Sequence, residues 1–317
     1  MKRLLVLGMI ISVGLFAMVA ANAAQQPAQQ GGGARGGGGG QARGGGGGGV
    51  GAIMKVANNL YMIPGAGGNT AVFITTNGVV LVDTKNPNNG QGILDQVKAV
   101  SDKPITHIIN THTHGDHTGS NQFFPASVEI VTHDNTKANM EKMEAFKDPA
   151  NKHGLPDRTY KDRMTLLSGN DAIDLYYFGP AHTNGDTFVV FRNLRTMHSG
   201  DAFANKGQPL IDAPNGGSGI AYPDTIAKAA GAIKNVDTVI NGHITAGPTK
   251  WQDFVDFGEF NRLFLEHARA SLKAGKTPEQ AMMDFKLPDK FKDYNLQGGR
   301  GGPGGNFGII FQELQKQ

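Results

Sequence analysis

Within Thr111-His112-Thr113-His114-Gly115-Asp116-His117 the chain places three of its ten histidines beside a carboxylate. Imidazole and carboxylate suit Zn²⁺, and so dense a cluster loses solvation and suffers repulsion unless a cation occupies it. The plain alternative is a surface turn that happens to be rich in His. The concentration of scarce residues in so short a run argues for a metal site.

Three further positions extend the set. His182 lies in Gly179-Pro180-Ala181-His182-Thr183-Asn184-Gly185-Asp186, Asp201 in His198-Ser199-Gly200-Asp201, and His243 in Asn241-Gly242-His243. Each follows a short β-type run, at 173–178, 196–199 and 238–241, and the His-rich run itself follows 105–110. In layered α/β folds the loops at strand C-terminal ends carry the chemistry, so separate strands can converge on one point. A single His after a strand is more often a satisfied polar residue. Four such positions, all at the same end of strands, argue for convergence.

The ordered set Asp83, His112, His114, Asp116, His117, His182, Asp201, His243 resembles the metallo-β-lactamase superfamily, over about residues 54–248. The resemblance implies an α/β (α+β) fold, a four-layer αββα sandwich with two sheets face to face and helices outside. It implies two zinc ions per chain. One would be held by His112, His114 and His182, the second by Asp116, His117 and His243, with Asp201 bridging both. Asp83, ending the run 79–82, looks like the family's buried Asp that props up the His-rich loop, a kind of partner that fixes ligand orientation. Its plain alternative is a turn residue before Thr84.

Two metals about 3.5–4 Å apart are the usual pair of a hydrolytic site, and zinc lowers the pKa of bound water to roughly 7. The expected nucleophile is a bridging hydroxide attacking a carbonyl or phosphorus, with Asp116 orienting it and passing a proton to the leaving group. Ser199 reads as a strand-end hydrogen-bonder. Lys206 is a candidate partner for a substrate carboxylate, against the plain reading of a solvated lysine.

The resemblance leaves the substrate open. One class of zinc β-lactamases carries a thiolate where this chain has Asp201, which favours the ligand set of hydroxyacylglutathione hydrolases, lactonases and phosphodiesterases. Glyoxalase-like members carry Gly-His after the His-Thr pair, whereas Asn184-Gly185-Asp186 follows here. Cyclic amides or esters (β-lactams, lactones) rank first, a glyoxalase-II-like thioester or ester hydrolase second, a phosphodiesterase third. A non-catalytic metal-binding module is the alternative of a different class. Oxygen-reducing diiron members of the superfamily usually add a flavodoxin-like domain, which is not evident here.

The elements that must position these residues occupy only part of the 317-residue chain. Met1-Lys2-Arg3, the apolar run 4–20 and Ala21-Asn22-Ala23 read as a signal peptide cut after Ala23, hence a periplasmic or secreted protein without stable membrane insertion afterwards. An uncleaved anchor is the alternative. The chain has no Cys, so neither a lipid-bearing Cys nor a disulfide is available. Residues 24–52 read as a Gly/Arg-rich tether with nothing to bury. Of the formal charge of +3, Lys2, Arg3, Arg35 and Arg43 account for four, leaving −1 for the rest and no basic footprint for nucleic acid. The expected partner is a small-molecule substrate.

Residues 53–250 read as the catalytic domain. Asn77-Gly78 between apolar runs signals a hairpin at 71–82. Helices are expected at 92–100, near Ser120, at 135–146 and at 224–233; strands at 105–110, 128–132, 186–192, 195–199 and 238–241. Residues 147–163 show no period and read as a loop bordering the site. Residues 251–317 read as a helical extension on the same domain, or else as a dimerisation face. They start with an amphipathic helix at 251–274 and continue with one capped by Thr277, Pro278 and Gln280. The apolar run 307–311 is expected to dock back onto the body.

Overall fold

The computed structural model describes residues 49–296 and 304–317. These fall within one compact unit, Gly44–Gln317. The leader and most of the tether lie outside the described residues.

Seven strands form the first sheet, in sequential order: β1 (Met54–Ala57), β2 (Leu60–Ile63), β3 (Thr70–Ile74), β4 (Val79–Val82), β5 (Ile105–Ile109), β6 (Glu129–His133) and β7 (Arg158–Tyr160). The pairs from β1 to β4 are antiparallel and those from β4 to β7 parallel. The second sheet holds β8 (Arg163–Leu166), β9 (Ile173–Tyr176), β10 (Phe188–Phe191), β11 (Thr196–His198), β12 (Thr238–Ile240) and β13 (Thr249–Lys250). There only β11 and β12 run parallel.

Side chains on a strand alternate between faces, and here both faces are apolar. Val80, Val82, Ile109 and Val131 of the first sheet share a core with Leu175, Val189, Phe191 and Ile240 of the second. Phe73 meets Phe191 edge-on across that core, centroids 5.3 Å apart. The alternate residues Val79, Leu81 and Ile108 pack on Ile93 and Val97 of α1 (Gly90–Lys98). On the far side, Phe188, Val190, Met197 and Val239 are covered by α4 (Tyr222–Ala232), α5 (Trp251–Lys273), α6 (Pro278–Asp284) and α7 (Phe307–Leu314). The four layers are therefore helix, sheet, sheet, helix. Two shorter helices, α2 (Gly115–Thr118) and α3 (Asp134–Met140), flank the strand ends.

The helical extension closes the outer face of the second sheet. Phe254, Phe257, Phe260 and Phe264 lie along one side of α5 and are fully buried, each contributing about 1.5–3 kcal/mol by leaving water. That places them in the core and not on a free dimerisation face. Phe307, Ile310 and Phe311 dock as expected, as a helix. Thr277 and Gln280 form the reciprocal cap of α6. Among the described residues no helix is long and apolar enough to cross a membrane.

Three local expectations need correction. The helix expected at 135–146 ends at Met140, because Met143 turns into an extended conformation and brings its sulfur to 3.8 Å from Thr113 Oγ1. Near Ser120 the chain makes a single 3-10 turn, Asn121–Phe123, since the helix has already begun at Gly115. Residues 147–163 contain a 3-10 stretch, Pro149–Gly154, then β7 and the start of β8. Those strands are three and four residues long and lie at sheet edges, too short to show alternation.

Candidate metal centre

Strand direction brings the chemistry together. β4 and β5 are parallel, so Asp83 and His112 leave the same edge of the first sheet; β11 and β12 are parallel, so Asp201 and His243 leave one edge of the second. β9 runs the same way as β11, both being antiparallel to β10, and its following loop delivers His182. Between Thr111 and Thr113 the chain bends, and His114, in extended conformation, caps the single turn of α2. That turn folds Asp116 and His117 back toward His112.

Two groups result. His112, His114, His182 and Asp201 form one, Asp116, His117 and His243 the other, with potential ligand atoms within 4.8 Å of each other in each. In the first, His114 Nδ1 lies 3.1 Å from His112 Nε2 and 3.0 Å from His182 Nε2. Ligand nitrogens on a tetrahedral zinc with bonds of 2.0–2.1 Å are spaced by about 3.3 Å.

The other nitrogen of each ring has an acceptor, which fixes the tautomer. His182 Nδ1–H donates to the Leu210 carbonyl at 2.8 Å and His114 Nε2–H to Asp212 Oδ2 at 2.5 Å. His112 Nδ1–H reaches Thr111 Oγ1 at 3.0 Å, and that hydroxyl donates to Asp83 Oδ2 at 2.7 Å. In the second group His117 Nδ1–H donates to the same Asp83 oxygen at 2.7 Å. Asp83 Oδ1 accepts the Thr111 N–H at 2.8 Å, so one buried carboxylate ties the loop backbone to the orientation of two imidazoles. On neutral rings this arrangement leaves the lone pairs on the inward nitrogens, as metal ligands require.

Asp201 sits between the groups. Its Oδ1 is 3.3 Å from His117 Nε2 and 3.2 Å from His243 Nε2; its Oδ2 is 3.6 Å from His182 Nε2 and 3.9 Å from His112 Nε2. Asp116 Oδ2 lies 3.5 Å from His243 Nε2. Burial, reinforced by the neighbouring His117, holds His112 well below the usual imidazole range. Around His117 burial works the other way from its carboxylate neighbours Asp201, Asp83 and Asp116, and the carboxylates prevail, holding it well above. His243 is raised too, burial being outweighed by Asp201. Asp201 is held well below the usual carboxylate range, its burial outweighed by His243 and His117. The field of three carboxylates therefore calls for positive charge, which protons meet when no metal does.

The residues fit a pair of metal ions by a further observation. Asp201 Oδ1 is buried and receives no well-aligned hydrogen bond among the described residues, although two imidazole nitrogens face it within 3.3 Å; a cation coordinated by all three atoms relieves that condition. The space is held open by close backbone approach: a Cβ on Gly242 would stand 2.0 Å from Asp201 Oδ1, and one on Gly68 2.2 Å from His117 Cε1.

Of the residues expected from sequence, His112, His114, Asp116, His117, His182, Asp201 and His243 are brought together, with Asp83 beneath them. Lys206 is not free for a substrate: its ammonium lies 2.6 Å from the Asp253 carboxylate in the first turn of α5. Ser199 turns its hydroxyl to backbone carbonyls. Two residues escaped the sequence reading. Asp212, mostly buried, orients His114 and is held below the usual carboxylate range, hydrogen bonds from His114 and Asn215 outweighing its burial. Lys85 is fully buried with its ammonium on the carbonyls of Ile63 and Gly68, and burial lowers its pKa to about 7. A loop Asp and a lysine after a strand carry no pattern; only the need of His114 for an acceptor hinted that some acid was missing.

The model of the Metallo-beta-lactamase superfamily matches residues 64–243, more than half of the chain. The Bacillus subtilis (strain 168) protein YobT is 35% identical over 140 residues, 41% of this chain and 60% of that protein. The 2,4-dinitroanisole O-demethylase subunit alpha of Nocardioides sp. (strain JS1661) is 32% identical over 102 residues, 31% of this chain and 29% of that one. The chain thus spans less than two thirds of the length of either. Among solved structures, the sec-alkylsulfatase Pisa1 from Pseudomonas sp. superposes with a TM-score of 0.67 at 14% identity, covering 83% of this chain and 50% of that chain. The DIM-1 metallo-beta-lactamase gives 0.55 at 17% identity, covering 67% and 98%. These likenesses are of fold, and members of the superfamily are mostly metal-dependent hydrolases. By its family match, its layers and its strand order, the chain belongs to the metallo-beta-lactamase superfamily.

Proposed function

We propose that this chain is a dinuclear zinc hydrolase acting on a carbonyl, with cyclic amides and esters as its substrate class. The observation that carries the reading is a pair of ligand groups with the Asp201 carboxylate facing both, one with three imidazoles whose outer nitrogens have acceptors. Imidazole and carboxylate suit zinc, and more ligands are present than one tetrahedral ion uses.

His112, His114 and His182 would hold one ion, Asp116, His117 and His243 the other, with Asp201 between them. Bound zinc would supply Lewis acidity at the scissile carbonyl and lower the pKa of water. Asp83 keeps the His-rich loop and the His117 ring in place. Asp116 is the carboxylate best placed to move a proton: its side chain is 17% exposed, against 3% for Asp201 and 0% for Asp83. It takes the proton of the attacking water and hands it to the leaving nitrogen or oxygen. A Ser or Cys nucleophile is not required.

Cyclic substrates rank first because the leader at 1–23 points to export, into a compartment where glutathione thioesters are scarce. An amino terminus at Ala24 in the exported protein would support that placement. The test of substrate is a head-to-head panel on the zinc-loaded full chain: penicillins, carbapenems, acyl-homoserine lactones, a glutathione thioester and bis-p-nitrophenyl phosphate. A secondary alkyl sulfate and an aryl methyl ether are added for the activities named in similar proteins. The expected result is the highest kcat/KM on a cyclic amide or ester. A tenfold preference for any other arm overturns that choice.

A further inference from the structure

The C-terminal helix α7 carries none of the candidate ligands, yet its two ends grip the loop that orients two of them. At one end the Asn306 N–H donates to Gln208 Oε1 at 3.1 Å, and the Asn306 amide donates to the Pro209 carbonyl. At the other, the Glu313 carboxylate accepts from Ser218 Oγ at 2.9 Å, Gly219 N–H at 3.1 Å and Ile220 N–H at 3.2 Å. The two grips fall on the entry and the exit of one loop, 208–220.

Between the grips lie the groups that orient the three-His cluster. The Leu210 carbonyl holds the His182 ring, the Asp212 carboxylate holds the His114 ring, and the Asp212 N–H donates to the His182 carbonyl at 2.9 Å. Ile211, between them, is buried in the same core cluster as Phe307, Ile310 and Phe311 of α7. The loop has little regular structure apart from one 3-10 turn, Ala213–Asn215, so its shape depends on what it is fastened to.

We infer that α7 is a brace for the first metal site: Glu313 and Asn306 fix the loop, and the loop's Asp212 and Leu210 carbonyl set the imidazoles of His114 and His182. This rests on the reading that His112, His114 and His182 hold a metal. Asp212 and Glu313 are positioning residues, acting through the rings and the loop that they hold. A carboxylate behind a ligating His fixes its ring and raises its basicity, and losing such a partner costs 10- to 100-fold in metal affinity.

The test uses the full chain, titrated with Zn²⁺ against a chromophoric chelator and with Co²⁺ by its d–d spectrum. Asp212→Asn should weaken the ion at the three-His cluster by roughly 10- to 100-fold and alter the one-equivalent cobalt spectrum. Glu313→Ala should weaken the same ion several-fold and leave the other unchanged. In the double variant the effects should fall well short of multiplying, because both act on one loop. Ser218→Ala removes a single grip and serves should Glu313→Ala fold poorly; a smaller shift in the same direction is expected. A lowered melting temperature with unchanged zinc affinity and cobalt spectrum in Glu313→Ala and Ser218→Ala overturns the inference, as does full multiplication in the double variant. If His182→Ala leaves both equivalents of the otherwise wild-type chain unchanged, the three-His reading itself falls.

Discussion

Asp83→Asn separates orientation from folding more cleanly than any other change at the centre. Asp83 has φ +63, a conformation Asn adopts as readily as Asp, so the backbone is undisturbed. The carboxylate accepts three hydrogen bonds, from Thr111 N–H, Thr111 Oγ1 and His117 Nδ1. With the amide oxygen left on the Thr111 N–H, the amide nitrogen faces the other two. It can donate to both only if His117 gives up the proton on Nδ1 while keeping the one on Nε2, and Thr111 turns its hydroxyl onto His112 Nδ1. Both imidazoles then present N–H where a lone pair is needed. The variant should fold with a loss of about 3 kcal/mol, three hydrogen bonds to a charged group being exchanged for neutral ones at about 1 kcal/mol each. Metal binding must reverse the exchange and leave one or two buried donors unpaired, at about 1–3 kcal/mol each. For two donors that is about 2–6 kcal/mol, or roughly 30- to 10⁴-fold in zinc affinity. Chelator competition measures the loss, a thermal melt checks the fold, and long-range ¹⁵N–¹H correlation of the His rings reads the tautomers. Zinc affinity within threefold of wild type in a folded Asp83→Asn chain would mean that Asp83 does not set the two imidazoles for metal.

Other expectations follow from single contacts. Gly242→Ala drives a methyl into Asp201 Oδ1 and should abolish hydrolysis while lowering bound zinc; full activity would mean the backbone yields there without cost. Lys85 has a pKa lowered by burial from 10.5 to about 7. The unfolded chain therefore binds more protons between those values, and the lysine's contribution to stability rises with pH across that window. Wild type should gain about 2–3 kcal/mol over Lys85→Met between pH 7 and pH 9, at about 1.4 kcal/mol per unit; denaturant melts giving a flat or falling difference would contradict this. His267 donates from Nε2 to the Ala281 carbonyl and packs on Phe285 and Phe307. His267→Ala should lower the melting temperature and leave kcat within twofold; a loss of tenfold or more at unchanged zinc content would show that the extension reaches the chemistry.

The fold was legible where local pattern and layer agreed. Asn77-Gly78 between two apolar runs gave the hairpin of β3 and β4, and the phenylalanine spacing of α5 gave a helix with one buried side. The ligands were legible because a sheet with parallel strands must deliver residues after β4, β5, β11 and β12 to common edges. What was hidden depends on distant contacts. Met143 ends α3 by turning toward Thr113, β7 and β8 exist only as edges, and Asp212 matters because residues 98 positions apart meet. Lys206 shows the converse: a lysine near Asp201 in sequence is drawn away by a carboxylate on α5.

The proposed hydrolysis requires two metal ions around Asp201. The most direct measurement is elemental analysis of the full chain after zinc reconstitution and gel filtration, beside Asp116→Ala and His243→Ala. Wild type should hold two equivalents of zinc and each variant close to one, with hydrolysis disappearing alongside the second equivalent. One equivalent or fewer in the reconstituted wild type, or variants that keep both ions, would contradict it.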